Sequence, residues 1–308
     1  MSSRLAIASL VSQSASSIIL FCRYHFQLGV EHIFLFFDYP EEADIPELRS
    51  DPRVTITVCD GAFWKRLNIE RVASLRDRNS AVLSCGFIAA RDAGYTYVAL
   101  IDSDELLYVD RSLDAALADA FANADVAYLY PEEAIHDHAS IQGGDFSHRC
   151  FKVRTNRLNR MLAPFFYFRN KDVSDEGFLG HLLGKNIFLT SVGYKTMHMH
   201  NPILEDRFKR NRTKSIILLH FDCMDFDEWK KKWAMRFSGM AIPDMRDKRA
   251  RQYEQIRAAT ARGDSALRAL YERYYLFRTW QLRLGQMLGL IHKPSRLGDM
   301  LERAQRDA

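Results

Sequence analysis

Three carboxylates stand within four residues of the stretch YVALIDSDELLYVD, which occupies positions 97–110. Asp102, Asp104 and Glu105 follow an apolar run, residues 97–101, that predicts a buried strand. Two aspartates at i and i+2 on a loop can both point at one cation, and their hard oxygens favour Mg²⁺ or Mn²⁺, ions that also bind a substrate's phosphates. Because like charges beside a buried strand are costly without a partner, the pattern favours a cation–phosphate site over a solvated acidic turn.

Later histidines are further candidate ligands. His198 and His200 are two residues apart, so on a strand their side chains share one face, a spacing that can chelate a transition metal. His220 stands in the apolar setting LLHFD. The sequence leaves open whether each is a ligand or a hydrogen-bonded core histidine.

The elements that must position these side chains follow from the spacing of apolar residues. The first hundred residues predict strands over 5–11, 31–37, 54–58 and 97–101, with helices from near Ser16 to Gly29 and over 78–93. Apolar strands alternating with helices predict an α/β fold whose mostly parallel central sheet is flanked by helices. Such sheets bind ligands beyond the carboxyl ends of their strands, where Asp38, Asp60 and residues 102–105 (the acidic loop) are expected.

The second half of the chain predicts a different organisation. Strands are expected over 125–131, 186–190 and 194–200, and helices over 111–123, 225–237 and most of the chain from Met245 onward. From Arg246 to the end there are 14 Lys and Arg against 7 Asp and Glu, in an amphipathic helical pattern. We expect a catalytic domain over 1–240 and a basic helical extension over 241–308, which either contacts an anionic membrane surface or packs on the rest of the protein.

Composition narrows the class of protein. The 308 residues are 47% hydrophobic, enough for a sizeable core, and no apolar run is long enough for a spanning helix. Five widely spaced cysteines indicate a reducing compartment, and the N-terminal apolar stretch is expected to be the first strand rather than a signal sequence. We expect the protein to be located in the cytoplasm, which includes the inner face of the membrane. The basic end lacks a nucleic-acid-binding motif.

Four stretches carry a family resemblance: FCRYHFQLGVEHIFLFFD, GYTYVALIDSDELLY, GHLLGKNIFLTSVGYKTMHMHNP and LLHFDCMDFDEWKKKW. They resemble bacterial family-2-type glycosyltransferases, in patches over residues 5–235. Where relatives often carry Asn-Glu after the first strand, this chain has Ser12-Gln13-Ser14. The resemblance implies a GT-A fold with a D-x-D motif, a donor linked to UDP or GDP, Mn²⁺ or Mg²⁺, and inverting transfer to a glycan or lipid-linked acceptor in polysaccharide biosynthesis.

The resemblance also implies roles for individual residues. Asp102 and Asp104 would bind the metal, with His220 or His200 completing its shell, and Glu105 would orient its neighbours. Contacts to the nucleotide-sugar are expected from five side chains: Asp38, Asp102, Ser103, His181 and Lys185.

An inverting transfer needs a general base downstream of the acidic loop. Asp175 and Glu176 are our candidates, in the first turn of a helix that Ser174 would cap. The alternatives are Glu132, Glu133, Asp145 and Asp172.

Two other functions remain open from the sequence. A metal-dependent hydrolase or nucleotidyltransferase would use Asp102, Asp104, His198 and His200. A catalytically inactive nucleotide-sugar-binding protein would account for the missing Asn-Glu pair.

Overall fold

The computed structural model describes residues 4–68, 75–154, 159–180, 182–197, 203–204, 207–222, 225–239 and 247–306. The chain forms two compact units. The first comprises Met1–Tyr130, Leu183–Leu218 and Arg296–Ala308, and the second comprises Pro131–Leu182 and Leu219–Ser295. Residues of the predicted extension occur in both units, and the division into a catalytic part over 1–240 and an extension over 241–308 stays a prediction.

Strands and helices alternate through the first hundred residues and are mixed thereafter. The strands are β1 (Leu5–Val11), β2 (His32–Phe37), β3 (Val54–Val58), β4 (Tyr97–Leu100), β5 (Glu105–Tyr108), β6 (Val126–Ile135), β7 (Cys150–Lys152), β8 (Lys185–Leu189), β9 (Tyr194–Thr196), β10 (Ile203–Leu204), β11 (Arg210–His220) and β12 (Ile291–His292). The helices are α1 (Ala15–Leu28), α2 (Pro46–Ser50), α3 (Gly61–Arg66), α4 (Leu75–Asp92), α5 (Leu113–Ala120), α6 (Ala163–Phe166), α7 (Phe226–Phe237), α8 (Asp247–Ala261), α9 (Asp264–Tyr275), α10 (Thr279–Met287) and α11 (Leu297–Arg306).

The first unit is built on a twisted sheet whose centre is parallel. Its strand order is β3-β2-β1-β4, all parallel, and β8 continues the sheet antiparallel to β4. Residues 126–129 of β6 then pair antiparallel with β8. The predicted α/β class, with a parallel central sheet flanked by helices, is confirmed.

Local signals define α1 closely. The Ser14 hydroxyl accepts a hydrogen bond from the backbone N–H of Ser17 and caps the helix. Gly29 ends it with φ of 109°, a left-handed conformation that glycine adopts without steric cost. Both ends lie within two residues of the positions predicted from sequence.

Helix α4 packs on the sheet through a close approach. A Cβ atom on Gly86 would lie 2.4 Å from the Cβ of Ala8 on β1, so only glycine fits there. Ala6 and Ala8 face a core that includes Phe87 of α4 and Phe188 of β8. This contact fixes α4 against the strand whose carboxyl end lies next to the acidic loop.

Two further local features belong to this unit. Asp60 lies beyond the carboxyl end of β3, as predicted, and its carboxylate accepts from the N–H of Phe63 at 2.8 Å and caps α3. The apolar residues after the acidic loop form the short strand β5, which pairs with β11.

The second unit combines a small antiparallel sheet with helices. Residues 133–135 of β6 pair with β7, and β12 pairs with the other edge of β7. Helices α7, α8 and α9 enclose an aromatic core around Trp229, Tyr271 and Tyr274. Tyr275 and Phe277 are also buried, so most aromatic residues of the predicted amphipathic extension are core residues. Among the described residues, no helix is long and apolar enough to cross a membrane.

Candidate functional site

The acidic loop is a closed turn between β4 and β5. The backbone N–H of Glu105 donates to the carbonyl of Asp102 at 3.0 Å, and the N–H of Asp102 donates to Glu105 Oε2 at 2.9 Å. The Glu105 side chain is fully buried, whereas those of Asp102 and Asp104 are partly exposed. Glu105 therefore orients the loop from inside, which agrees with the role expected for it.

Lys185 lies beneath this loop as the first residue of β8. Its ammonium is 2.5 Å from Asp102 Oδ2 and 3.5 Å from Glu105 Oε2, and its side chain is fully buried. Burial by itself lowers the pKa of Lys185, but the charges of Asp102 and Glu105, with Asp104, outweigh burial and hold the pKa above its ordinary value. Lys185 is therefore a buried counter-charge for the acidic loop.

Helix α4 supplies side chains to two strand ends. Arg78 Nε lies 3.1 Å from Asp38 Oδ2, and both side chains are only 3% exposed. The next residue, Asn79, directs its amide toward Asp102 Oδ1 at 3.4 Å. One helix therefore supplies a charge to the acid that follows β2 and an amide to an acid that follows β4.

The segment after β1 also reaches the acidic loop. The buried Ser103 hydroxyl hydrogen-bonds to Gln13 Oε1. The amide of Gln13, from the Ser12-Gln13-Ser14 segment, thus contacts the acidic loop directly at the residue between Asp102 and Asp104.

Two residues of α1 that the sequence reasoning did not single out support β5 behind the loop. His25 Nε2 accepts from the N–H of Leu107 at 3.1 Å, and the Tyr24 hydroxyl donates to the carbonyl of Leu107 at 3.0 Å. The other ring nitrogen of His25 lies 2.8 Å from the carbonyl of Phe21 and donates to it, because Nε2 is the acceptor. Burial lowers the pKa of His25 to about 3, so the ring is neutral at pH 7. The signal was present, since His25 stands in the sequence pattern FCRYHFQLGVEHIFLFFD, one of the four stretches that carry the family resemblance.

His220 lies in the second unit at the end of β11, in a buried charged cluster. Asp222 accepts from Lys232 Nζ at 2.8 Å and from the Tyr275 hydroxyl at 3.2 Å. Burial alone would raise the pKa of Asp222, but Lys232, His220 and nearby arginines hold it well below its usual range. A Cβ on Gly180 would lie 3.2 Å from His220 Cε1, so this glycine allows the close packing. The role of His220 as a metal ligand stays a prediction.

The candidate general bases do not lie on a helix, so the predicted cap at Ser174 was wrong. Asp175 and Phe178 exchange two backbone hydrogen bonds of 2.9 Å across a tight turn. Glu176 has φ of 50° and Gly177 has φ of 95°, which a helix cannot accommodate. Asp175 is 58% exposed and pairs with Lys248 at 2.8 Å.

The alternative bases have protein partners or lie on the surface. Glu133 is fully buried, and it accepts from Lys152 Nζ at 2.6 Å and from the N–H groups of Leu179 and Gly180. Glu132 is 2.7 Å from His292 Nδ1. Asp172 is an exposed residue 3.9 Å from Arg251, and Asp145 is partly buried. Glu133 is thus a structural anchor for the turn at 177–180.

In the described part of the chain, no group of three or more His, Cys, Asp or Glu side chains converges on a metal position. His181, His198 and His200 lie outside the described residues. The candidate donors on the acidic loop are the carboxylates of Asp102 and Asp104, which are partly exposed. These fit Mg²⁺ or Mn²⁺, which use one or two carboxylates and complete their shell with water and substrate phosphates.

Comparison with known proteins finds only weak similarity between this chain and other proteins. No family model matches this chain, and no curated protein matches it. Two solved structures resemble it weakly. HddC from Yersinia pseudotuberculosis has 11% identity and a TM-score of 0.37, over 75% of this chain and 97% of that one. Residues 1–349 of TarS from S. aureus have 10% identity and a TM-score of 0.33, over 88% and 71%. Because identities and TM-scores are low, neither structure indicates what this chain binds.

Proposed function

We propose that this protein is an inverting glycosyltransferase that uses a nucleoside-diphosphate sugar and a divalent cation. The observation that carries the proposal is the acidic loop, which follows a central parallel strand and is held by Lys185 and Asn79. Open α/β sheets bind ligands at this edge. The family resemblance of the sequence supports the same conclusion, including a GT-A fold.

Some residues of the first unit bind the cation or the nucleotide-sugar, and others hold these binding residues in position. Asp102 and Asp104 hold Mn²⁺ or Mg²⁺, which when bound offsets the negative charge that develops on the leaving nucleoside diphosphate. Lys185 keeps the loop folded before the donor arrives. Asp38, oriented by Arg78, and Ser103 contact the base and ribose of a UDP- or GDP-linked donor.

The reaction forms one bond and breaks one. The acceptor hydroxyl oxygen bonds to the anomeric carbon as the bond from that carbon to the diphosphate oxygen breaks, which inverts the configuration. The hydroxyl proton passes to a carboxylate, for which Asp175 or Glu176 is our candidate. The acceptor is a glycan or a lipid-linked carrier in the cytoplasm. We also propose that His181 contacts the nucleotide-sugar and that His200 or His220 contacts the metal.

The test is thermal unfolding with UDP or GDP, with and without Mn²⁺. We expect the nucleotide to raise the unfolding temperature only with Mn²⁺, and Asp104→Ala to abolish this rise. Asp92→Ala, an exposed acid at the far end of α4, is the matched control and retains the rise.

A screen of nucleotide-sugars for slow hydrolysis in Mn²⁺ then separates the alternatives. Tight zinc binding without any nucleotide effect would contradict the transferase and favour a metal-dependent hydrolase or nucleotidyltransferase. Nucleotide binding without turnover of any donor, even with acceptor mixtures, would indicate an inactive binding protein.

A further inference from the structure

An exposed apolar surface lies in the second unit. Of the eight large apolar side chains that are exposed in the described part of the chain, seven belong to two short segments. We call their surface the apolar face; its members are Met161, Leu162, Phe165, Phe168, Trp280, Leu284 and Met287. Phe165 is 80% exposed, Met287 84% and Trp280 59%. Clustered exposure of this kind marks an interaction surface rather than scattered surface residues.

The two segments are neighbours held by a shared core. Phe166 of α6 stacks on Phe277, just before α10, with ring centroids 6.2 Å apart. Its Cζ atom lies 2.8 Å from the position of a Cβ on Gly285, so the glycine allows α6 and α10 to touch. On α10, Gln281, Leu282 and Gly285 are buried. The exposed residues at 280, 284 and 287 form the opposite stripe of the same helix.

The two segments that form this face carry charge of one sign. Residues 159–171 and 276–293 contain six Lys and Arg and no Asp or Glu. Arg169, Lys171, Arg278, Arg283 and Lys293 are exposed. Exposed aromatic and aliphatic side chains that share their segments with basic ones are the composition of surfaces that lie in the interface of an anionic membrane.

A second copy of the chain fits this face poorly. A symmetric dimer would set the same basic side chains against their own copies, with no acid in either segment to pair with them. Phosphate headgroups supply the missing negative charge, and the acyl boundary accepts the apolar side chains.

We propose that the apolar face docks the protein on an anionic lipid surface, with Phe165, Trp280 and Met287 entering the headgroup region. This places the contact in α10, which belongs to the extension predicted from sequence, and also in residues 161–168, which lie outside it. The inference does not rest on the proposed transferase activity, because vesicle binding is measured without any donor or acceptor.

The experiment mixes the full chain with vesicles of phosphatidylglycerol or of phosphatidylcholine and measures co-sedimentation. Trp280 adds a local readout, because the other three tryptophans, Trp64, Trp229 and Trp233, are buried. We expect binding to phosphatidylglycerol with a blue shift of tryptophan fluorescence, weaker binding at high salt, and little binding to phosphatidylcholine.

Variants locate the contact. Phe165→Ser and Trp280→Ser are each expected to weaken partitioning about tenfold, and Arg283→Gln about fivefold. The matched controls are Leu183→Ser, which is 39% exposed outside the face, and Arg262→Gln, an exposed arginine elsewhere. Both should bind as the unaltered protein does.

Three outcomes overturn the proposal. They are absence of binding to phosphatidylglycerol, equal losses in the control variants, and self-association that Phe165→Ser or Trp280→Ser abolishes, which would make this face an interface between copies. Circular dichroism and the unfolding temperature show that each variant is folded, as expected for exposed positions.

Discussion

The Lys185 ammonium lies 2.5 Å from Asp102 Oδ2, and the two residues are 83 positions apart in the chain. The lysine side chain is fully buried, as is that of Glu105, its second partner at 3.5 Å. The acidic loop is therefore already balanced in part by a charge of the protein itself, and this pair connects the central strand β4 to β8.

Lys185→Met should destabilise the protein strongly. The substitution leaves Glu105 buried without its counter-charge, and breaking a buried ion pair in this way typically costs about 3–5 kcal/mol. The measurement is urea unfolding at pH 7. Lys230→Met is the control, because Lys230 pairs with Asp264 on the surface, where such pairs contribute about 0–1 kcal/mol. Equal losses in the two variants would refute the assigned role of Lys185.

His25→Ala should destabilise the first unit, because it removes a buried ring and leaves the N–H of Leu107 without its partner. We expect a loss of about 2–4 kcal/mol in the free energy of unfolding. Tyr24→Phe, which removes one hydrogen bond, should cost about 1 kcal/mol. His32 of the same sequence pattern is partly exposed, with one hydrogen bond to Thr55, so His32→Ala should have a smaller effect. A larger loss from His32→Ala than from His25→Ala would contradict the assigned role of His25 in supporting β5.

A buried histidine pair should make the second unit sensitive to acid. His136 Nε2 lies 3.0 Å from His148 Nε2 and 2.6 Å from the Tyr271 hydroxyl. Burial lowers the pKa of His136 to about 4, and burial together with the charge of His136 lowers the pKa of His148 well below its ordinary value. In the unfolded chain both rings take up protons near pH 6.5, while the folded protein keeps them neutral.

The sign of the pH effect follows from this difference. Below pH 6.5 the unfolded state binds more protons than the folded state. The two histidines therefore do not lower the free energy of unfolding above that pH. As the pH falls toward 4, the free energy of unfolding decreases by about 1.4 kcal/mol per pH unit for each ring. Urea unfolding at several pH values between 7 and 4 measures the slope. His148→Phe should make the slope shallower, and His138→Asn, at an exposed position, should leave it unchanged. An unaltered slope in His148→Phe would contradict this account.

Gly86→Ala should strain the contact between α4 and β1. The added Cβ would meet the Cβ of Ala8 at 2.4 Å, and overpacking of this kind costs about 1–3 kcal/mol. Gly61→Ala is the control, since no atom lies within 4 Å of the corresponding position. Combining Gly86→Ala with Ala8→Gly should recover part of the loss. If the double variant is less stable than Gly86→Ala alone, the clash is not the cause.

Much of the fold could be predicted from sequence where the signal is local. The bounds of β1 and β3 were predicted to the residue, and Gly29 ends α1 as expected. Apolar periodicity and turn residues report on segments of five to fifteen residues, which is the length of these elements. The turn at Glu176 and Gly177 was missed, because its positive φ angles suit a hairpin while Ser-Asp-Glu also suits a helix start.

The sequence by itself determined that a carboxylate cluster follows a buried strand, because residue type and alternation are written in order along the chain. The tertiary structure decided what this loop touches: Lys185 and Asn79 contact Asp102, and Gln13 contacts Ser103, at sequence separations of 83, 23 and 90 residues. It likewise decided that Tyr274 and Phe277 are buried while Trp280 is exposed. Burial depends on which surfaces meet after the chain folds, and a pattern along one helix shows that a face is apolar without showing what covers it.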